Sequence, residues 1–302
     1  MSTCGGAGRV PTAEVDAPFI HLSVTPGVDV TASQDNIGTY AMNYCRWILL
    51  MLTTSCLAAP LTVHATILSD STTLKATYVG IRHGESVPSS QRRVCSSLVA
   101  GVDPSNGLTP RGRAETRAAT QVWIAAQTPL VETAFRNRRL VILSSPFSRT
   151  RESADLIAET IEQYFAPSPS TPRGAIKQQI RVETALRERD FGRYEGQLRS
   201  DLIYPRVWAE DARDPTYEGE GVESALAVQR RVMALIRRLE ERSGAGEGWV
   251  YLLVSSGDPL KILATGFNRI SAAAHQDPQH VPPFRTAEFR VFRWRGVPAA
   301  AP

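Results

Sequence analysis

The tetrapeptide Arg82-His83-Gly84-Glu85 follows directly on the apolar run Ala76-Thr77-Tyr78-Val79-Gly80-Ile81. A neutral imidazole can attack phosphorus, and a guanidinium can grip two phosphoryl oxygens at once, so the pair suits phosphoryl transfer. Its position suits that chemistry too, because open α/β sheets bind ligands outside the carboxyl ends of their strands. Short motifs recur by chance, so other segments must repeat the logic. Three do: Ser144-Ser145-Pro146-Phe147-Ser148-Arg149, Leu186-Arg187-Glu188-Arg189-Asp190-Phe191 and Val254-Ser255-Ser256-Gly257-Asp258-Pro259. Each sets polar groups where a strand pattern gives way to a helix or turn.

The elements that would hold these groups alternate. Ala76–Ile81 reads as a strand, followed by a loop to Gly107. Thr109-Pro110 opens a helix through about Gln127, with threonine as cap and proline at the first helical position. Arg139–Ser144 is a second strand and Ser145-Pro146 a second helix start, running to about Tyr164, with a Pro/Ser loop over 166–173. Gln179–Glu183 is a short third strand. Leu226, Val232, Leu235, Ile236 and Leu239 fall at helical spacing over Ala225–Glu241. Trp249–Ser255 is a strongly apolar strand, Asp258-Pro259 reads as a cap and helix start, and Glu288–Trp294 is a terminal strand. This alternation predicts a mostly parallel sheet with helices on both faces, a three-layer α/β/α sandwich over residues 72–302.

Upstream the pattern changes. Residues 1–41 are rich in Gly, Thr, Ser, Asp and Pro without a sustained period, which predicts disorder or an upstream extension. Residues 42–70 combine a short basic start at Met42, an apolar run from Trp47 and a Val63-His64-Ala65 site. Those are the parts of a signal peptide, and the stretch 47–68 is also long enough for a membrane anchor. Translation from Met42 would direct the chain to the secretory pathway or a membrane; otherwise a cytoplasmic location is expected.

The bulk numbers narrow the class. With 302 residues, 42% hydrophobic and 21% charged, the chain can bury a sizeable core. A net charge of +4 suits an anionic small substrate, while the scattered arginines form no basic block of the kind nucleic acid needs. Cys4, Cys45, Cys56 and Cys95 are too few and too irregular for a disulfide framework or a zinc site. Cys95 reads as a small buried or loop residue rather than a nucleophile.

Together with Leu108-Thr109-Pro110-Arg111-Gly112, the four motifs resemble the histidine phosphatase superfamily, the phosphoglycerate-mutase-like group, over about residues 75–295. The resemblance implies that His83 is the nucleophile that becomes phosphohistidine and that Arg82 and Arg149 line the phosphate pocket. It gives Glu188 the role of acid for the leaving group and base for water. Glu220–Ser224 matches a turn before the long helix. From the residues alone, Arg149 could equally be a solvated helix charge, and Glu188 a surface ion-pair partner whose flanking Arg187 and Arg189 would lower its pKa. Arg92, Arg93 and Arg111 could reach a second anionic group or simply be solvated.

The chain departs from the family pattern at two places. Where the fourth motif normally has Ser-His-Gly, this chain has Ser255-Ser256-Gly257, so Ser256 and Gly257 would have to serve the phosphoryl group without an imidazole. Ser89 stands where an asparagine is frequent. His275 and His280 are the remaining histidines downstream of His83, on a segment that reads as a lid from which either could swing in. The expectation is a phosphomonoesterase of histidine acid phosphatase type, needing no metal or cofactor, acting on a phosphorylated small molecule or phosphoprotein and weakened by Ser256. The rival reading is a phosphate-binding scaffold with little catalysis; a mutase is less favoured. Oligomeric state and substrate identity have no sequence signal.

Overall fold

The structure, a computed structural model, describes residues 74–165, 177–243 and 248–295. The segments 1–41 and 42–70, and with them the signal-like stretch, lie outside the described residues. So does the whole of the loop 166–173. Among the described residues no helix is long and apolar enough to cross a membrane.

Five strands form one sheet in the order β3-β2-β4-β1-β5, where β1 is Thr77–Arg82, β2 Leu140–Ser144, β3 Ile180–Val182, β4 Val250–Ser255 and β5 Phe289–Phe292. All pairings are parallel except β1 with the edge strand β5. The last strand of the parallel set, β4, returns to lie between β1 and β2. This puts the ends of three buried strands side by side. Arg82 is in register with Ser255, and Ser144 with Val254. The ladder continues one step past the strands, through His83 N–H to Ser255 O at 3.1 Å and Ser145 N–H to Val254 O at 3.0 Å.

The alternation of side chains explains why both faces are covered. Tyr78, Val141, Leu143, Tyr251 and Leu253 point into one core, closed by helices α7 (Ala225–Ser243) and α8 (Gly257–Asn268). Val79, Ile81, Ile142, Leu252 and Val254 point the other way, under α3 (Pro110–Ala126), α4 (Thr128–Arg136) and α5 (Ser148–Phe165). Central parallel strands buried on both faces read as near-continuous apolar runs, and the fully buried β2 and β4 do so up to the serine, Ser144 or Ser255, that ends each. The three-layer α/β arrangement read from the sequence is therefore the arrangement observed.

Details differ. Helix α5 begins at Ser148, because Ser145 Oγ accepts from Phe147 N–H at 3.3 Å and holds a turn first. The first cap of α8 is Ser256, not Asp258, which lies buried inside the first turn. The short helices α1 (Val87–Ser90) and α2 (Leu98–Val102) occupy the stretch read as loop, and α4 and α6 (Ser200–Arg213) were not anticipated. Glycine matters at one crossing. A Cβ at Gly84 would collide with the backbone of Gly112, and one at Gly112 with the backbone of Glu85. Both motif glycines are thus needed to let the loop after β1 pass over the start of α3.

A charged pair anchors α6. Arg189 and Asp211 are fully buried and joined in two places, Nη1 to Oδ2 at 2.5 Å and Nη2 to Oδ1 at 2.8 Å. Arg189 Nε also donates to Glu223 O at 2.6 Å. Removing one partner would strand a buried charge, so Asp211→Ala is expected to cost about 3–5 kcal/mol. Thermal unfolding of the variant should show the midpoint falling by roughly 6–20 °C. A shift within about 1 °C would mean that the guanidinium finds water or another acceptor.

Candidate active site

His83 sits just past β1 and is 4% exposed. Its Nδ1 lies 2.7 Å from Gly84 O, an acceptor, so the ring proton is on Nδ1 and the Nε2 lone pair is left available. Arg149 Nε–H donates to that lone pair at 3.1 Å. Burial, then the charges of Arg149 and Arg82, hold the imidazole well below the ordinary histidine range, so it is neutral near pH 7. A neutral ring with a directed lone pair is what nucleophilic attack requires.

Arg149 is in the first turn of α5, buried, with its guanidinium over the Phe147 ring at 4.8 Å. Its Nη2 donates to Cys95 O at 3.0 Å and to Ser256 Oγ at 3.4 Å, and lies 3.8 Å from Glu188 Oε2. Arg82, across the site, gives Nη1–H to Phe284 O at 2.8 Å, while its buried Nε–H has no partner among the described residues. An unsatisfied buried donor at the strand ends calls for an anionic acceptor.

Glu188 follows the turn Thr184–Leu186 and is 9% exposed. The flanking arginines do not depress it as expected. Arg187 Nη2 goes to Glu223 at 2.8 Å and Arg189 to Asp211, both away from the site. Burial raises the Glu188 carboxyl pKa, Asp258 adds to the rise, and the attraction of Arg149 does not cancel it. Oε1 accepts Arg189 N–H at 2.9 Å, which leaves Oε2 facing Arg149 and the site.

Ser256 caps α8 from a buried position, yet its hydroxyl makes no capping bond and is turned to Arg149 instead. Gly257 lies beside it in the first turn of α8 and lines the same cavity as Arg82. Five of the residues named from the sequence, His83, Arg82, Arg149, Glu188 and Ser256, thus converge together with Gly257. Ser89 does not join them. It is exposed, and its hydroxyl closes the cap of α1, accepting from Ser86 N–H at 2.8 Å and donating to Ser86 O at 2.8 Å.

The outlying basic residues are also spent elsewhere. Arg92 pairs with Asp201 at 3.7 Å, Arg93 with Asn106 at 2.7 Å, and Arg111 with Glu115 at 2.8 Å. Cys95 is buried, its thiol pushed up by burial, and its carbonyl positions Arg149. His275 is not on a lid. It is buried in the turn Ala272–Gln276, with Nδ1 2.9 Å from Ala272 O and Nε2 3.7 Å from Asp211. His280 is paired with Asp277 at 2.7 Å.

Beside the phosphoryl end lies a cavity of about 250 Å³ whose walls include Tyr204 and Trp208 of α6, Asp258 and Lys261 of α8, and Gln276. None of these was assigned to a site from the sequence, and Asp258 was read only as a cap. The Asp-Pro pair at 258–259 had the look of a cap, and α6 carries Pro205 in its interior, which hides it from pattern reading.

The arrangement can present a neutral imidazole nitrogen to an anion held between two guanidinium groups, beside a carboxyl group poised to release a proton. Fold and site together are those of an α/β protein that gathers a histidine, two arginines and a glutamate at the ends of its strands. The chain belongs to the histidine phosphatase superfamily (branch 1), whose family model matches residues 79–296.

Among solved structures, "Mycobacterial hydrolase 1" is similar at 21% identity and a TM-score of 0.52, covering 71% of this chain and 87% of that one. A mycobacterial glucosyl-3-phosphoglycerate phosphatase, solved with VO3, is similar at 20% identity and a TM-score of 0.50, covering 73% of this chain and 98% of that one. "Mycobacterial hydrolase 2" shares 20% identity with a TM-score of 0.50, covering 73% and 90% of the two chains. At these identities the likeness is one of fold. No curated protein matches the chain significantly.

Proposed function

We propose that this protein is a phosphomonoesterase that works through a phosphohistidine on His83 Nε2. The observation that carries this reading is the fixed tautomer: Nδ1 is tied to Gly84 O, and Nε2 points its lone pair at Arg149. Arg149 Nε–H covers that lone pair at 3.1 Å. A phosphomonoester drawing the Arg149 guanidinium onto its own oxygens would uncover it, coupling substrate arrival to nucleophile release. Arg82 Nε–H gains its missing acceptor in the same step.

Nε2 then attacks phosphorus in line, the phosphorus–oxygen ester bond breaks, and the Glu188 proton goes to the departing alkoxide oxygen. The products are the alcohol and an Nε2 phosphoryl group. In the second step the Glu188 carboxylate takes a proton from water, whose oxygen attacks phosphorus. Phosphate leaves, and both groups return to their starting states. The substrate is a phosphorylated small molecule or a phosphoprotein.

The protonation states support this assignment of roles. The mechanism needs neutral histidine and protonated glutamate together, the reverse of their order in water, where the reference values are 6.5 and 4.5. At those values, fewer than about one molecule in a hundred would hold both states at any pH. Burial lowers one and raises the other, so the competent fraction grows. Turnover should therefore fall at the alkaline side as Glu188 ionises, and at the acid side only well below pH 6.5, where His83 protonates. Glu188→Gln is expected to remove the alkaline limb and to slow alkyl phosphates about a hundredfold. That loss is read in the rate of phosphoenzyme formation, because the later water step is slowed alike for every substrate. With p-nitrophenyl phosphate, whose leaving group needs little help, the loss in that rate should be under about tenfold. Equal losses of phosphoenzyme formation on both substrates would assign Glu188 to binding rather than to protonation of the leaving group.

A phosphate-binding role with little turnover is favoured by one observation, Ser256 in place of an imidazole. Acid-stable phosphate is the wrong product to look for; rapid alkaline quench after mixing with a labelled phosphomonoester preserves phosphohistidine. Label on the native chain, absent from His83→Ala, is the expected result. Tight binding of phosphate with no trapped label would favour the scaffold reading.

A further inference from the structure

Resting on that reading, we propose that the leaving group of the natural substrate is a flat, predominantly apolar group, aryl or aryl-alkyl, rather than a polyhydroxylated sugar. Arg82 and Glu188 mark the reacting end of the cavity, and beyond them it is enclosed by the rings of Phe191, Tyr204, Trp208 and Phe284. Its lining is predominantly apolar.

Three polar side chains on these walls, Trp208, Lys261 and Gln276, are already engaged with Asp258. Asp258 Oδ2 accepts from Trp208 Nε1–H at 2.9 Å, and Oδ1 accepts from Gln276 Nε2–H at 3.3 Å. Lys261 Nζ lies 3.3 Å from the same Oδ1 and 4.1 Å above the Trp208 ring. A sugar entering here would leave hydroxyl groups short of partners, which costs more than the contacts return. A ring would meet other rings and need none.

The walls are also preformed. Trp208 has the Lys261 ammonium over its ring and is stacked on Tyr204 at 5.8 Å, Tyr204 packs on Phe191 at 4.6 Å, and Phe284 has the Arg290 guanidinium over its ring at 3.8 Å. Burial keeps the Tyr204 phenol un-ionised, so that wall carries no charge to repel a phosphate. Side chains fixed in this way lose little freedom when a ligand docks.

Calorimetric titration of the full chain with three non-hydrolysable phosphonate probes tests the proposal without depending on turnover. Methylphosphonate reports the phosphoryl end alone, 2-phenylethylphosphonate adds the ring, and glucose 6-phosphate, used as its phosphonate analogue, adds hydroxyls. The phenylethyl probe is expected to bind at least about tenfold more tightly than methylphosphonate, with glucose 6-phosphate gaining nothing. Trp208→Leu should bring the phenylethyl-to-methyl ratio below about threefold, whereas Trp208→Phe, which keeps a ring but loses the bond to Asp258, should retain most of it.

Equal binding of the methyl and phenylethyl probes, or tighter binding of glucose 6-phosphate, would overturn the inference while leaving the phosphatase reading in place. Loss of the ratio in both Trp208 variants would also overturn it, by assigning the effect to the Asp258 network. Failure of all three probes to bind would instead remove the phosphoryl pocket, and with it the reading on which this rests.

Discussion

A chain carrying His83→Ala is expected to release no phosphate above the solution background, yet to bind inorganic phosphate as tightly as the native chain or more so. The two halves follow from one geometry. The Nε2 lone pair is the group placed to attack phosphorus, and Gly84 O fixes the tautomer that leaves it free, so nothing else nearby can take its place. Cys95, whose thiol lies 3.5 Å from Arg149, has its pKa raised by burial and is a poor substitute. But the same lone pair competes with phosphate for Arg149 Nε–H at 3.1 Å. Alanine removes the competitor and returns that donor to the anion. Malachite-green phosphate release and calorimetric titration with phosphate measure the two halves. Residual turnover within about tenfold of native would remove the phosphohistidine mechanism, since losing a covalent nucleophile costs far more than that. Lost phosphate binding would show that His83 holds the anion rather than attacking it.

The parts of the site that were legible in the sequence are those where local and global demands agree. An apolar run ending in Arg-His-Gly reads as a buried strand feeding a strand-end site, and β1 delivers Arg82 and His83 there. Thr109-Pro110 and the spaced leucines of 225–241 announce their helices by capping and period, without reference to the rest of the chain. What stayed hidden depends on contacts remote in sequence. The pKa of Glu188 cannot be read from Arg187 and Arg189, because Asp211 and Glu223 take both arginines elsewhere. Asp258 carries the signature of a cap, but its bonds to Trp208 and Gln276 draw it inward, and Ser256 takes its place. The edge strands β3 and β5 are shorter than their apolar patterns suggest, since each has a partner on one side only. The leaving-group cavity was invisible for the same reason: its walls come from α6, α8 and two distant loops, and no single segment carries its pattern.

Ser256→His is expected to raise turnover roughly 10²–10³-fold, the usual effect of one preorganised donor at a developing charge. Ser256 occupies the place from which such a donor would act: buried, at the head of α8, with its hydroxyl 3.4 Å from Arg149 Nη2 and not committed to the helix. A hydroxyl in that position offers a neutral hydrogen bond of short reach, whereas an imidazole reaches further and can carry positive charge to the transferring phosphoryl group. Arg82, Arg149 and the N-terminus of α8 hold the anion in either case, so phosphate affinity should change much less than turnover. The measurement is steady-state release from p-nitrophenyl phosphate by the two proteins side by side. A native chain near background with an active variant would make the natural protein a weakened enzyme whose machinery is otherwise complete. Comparable turnover would mean that the serine hydroxyl, oriented by Arg149, already suffices. A variant that binds phosphate normally but stays inactive would place the deficit at Glu188 or at the in-line approach to His83, because the missing donor would then have been restored without effect.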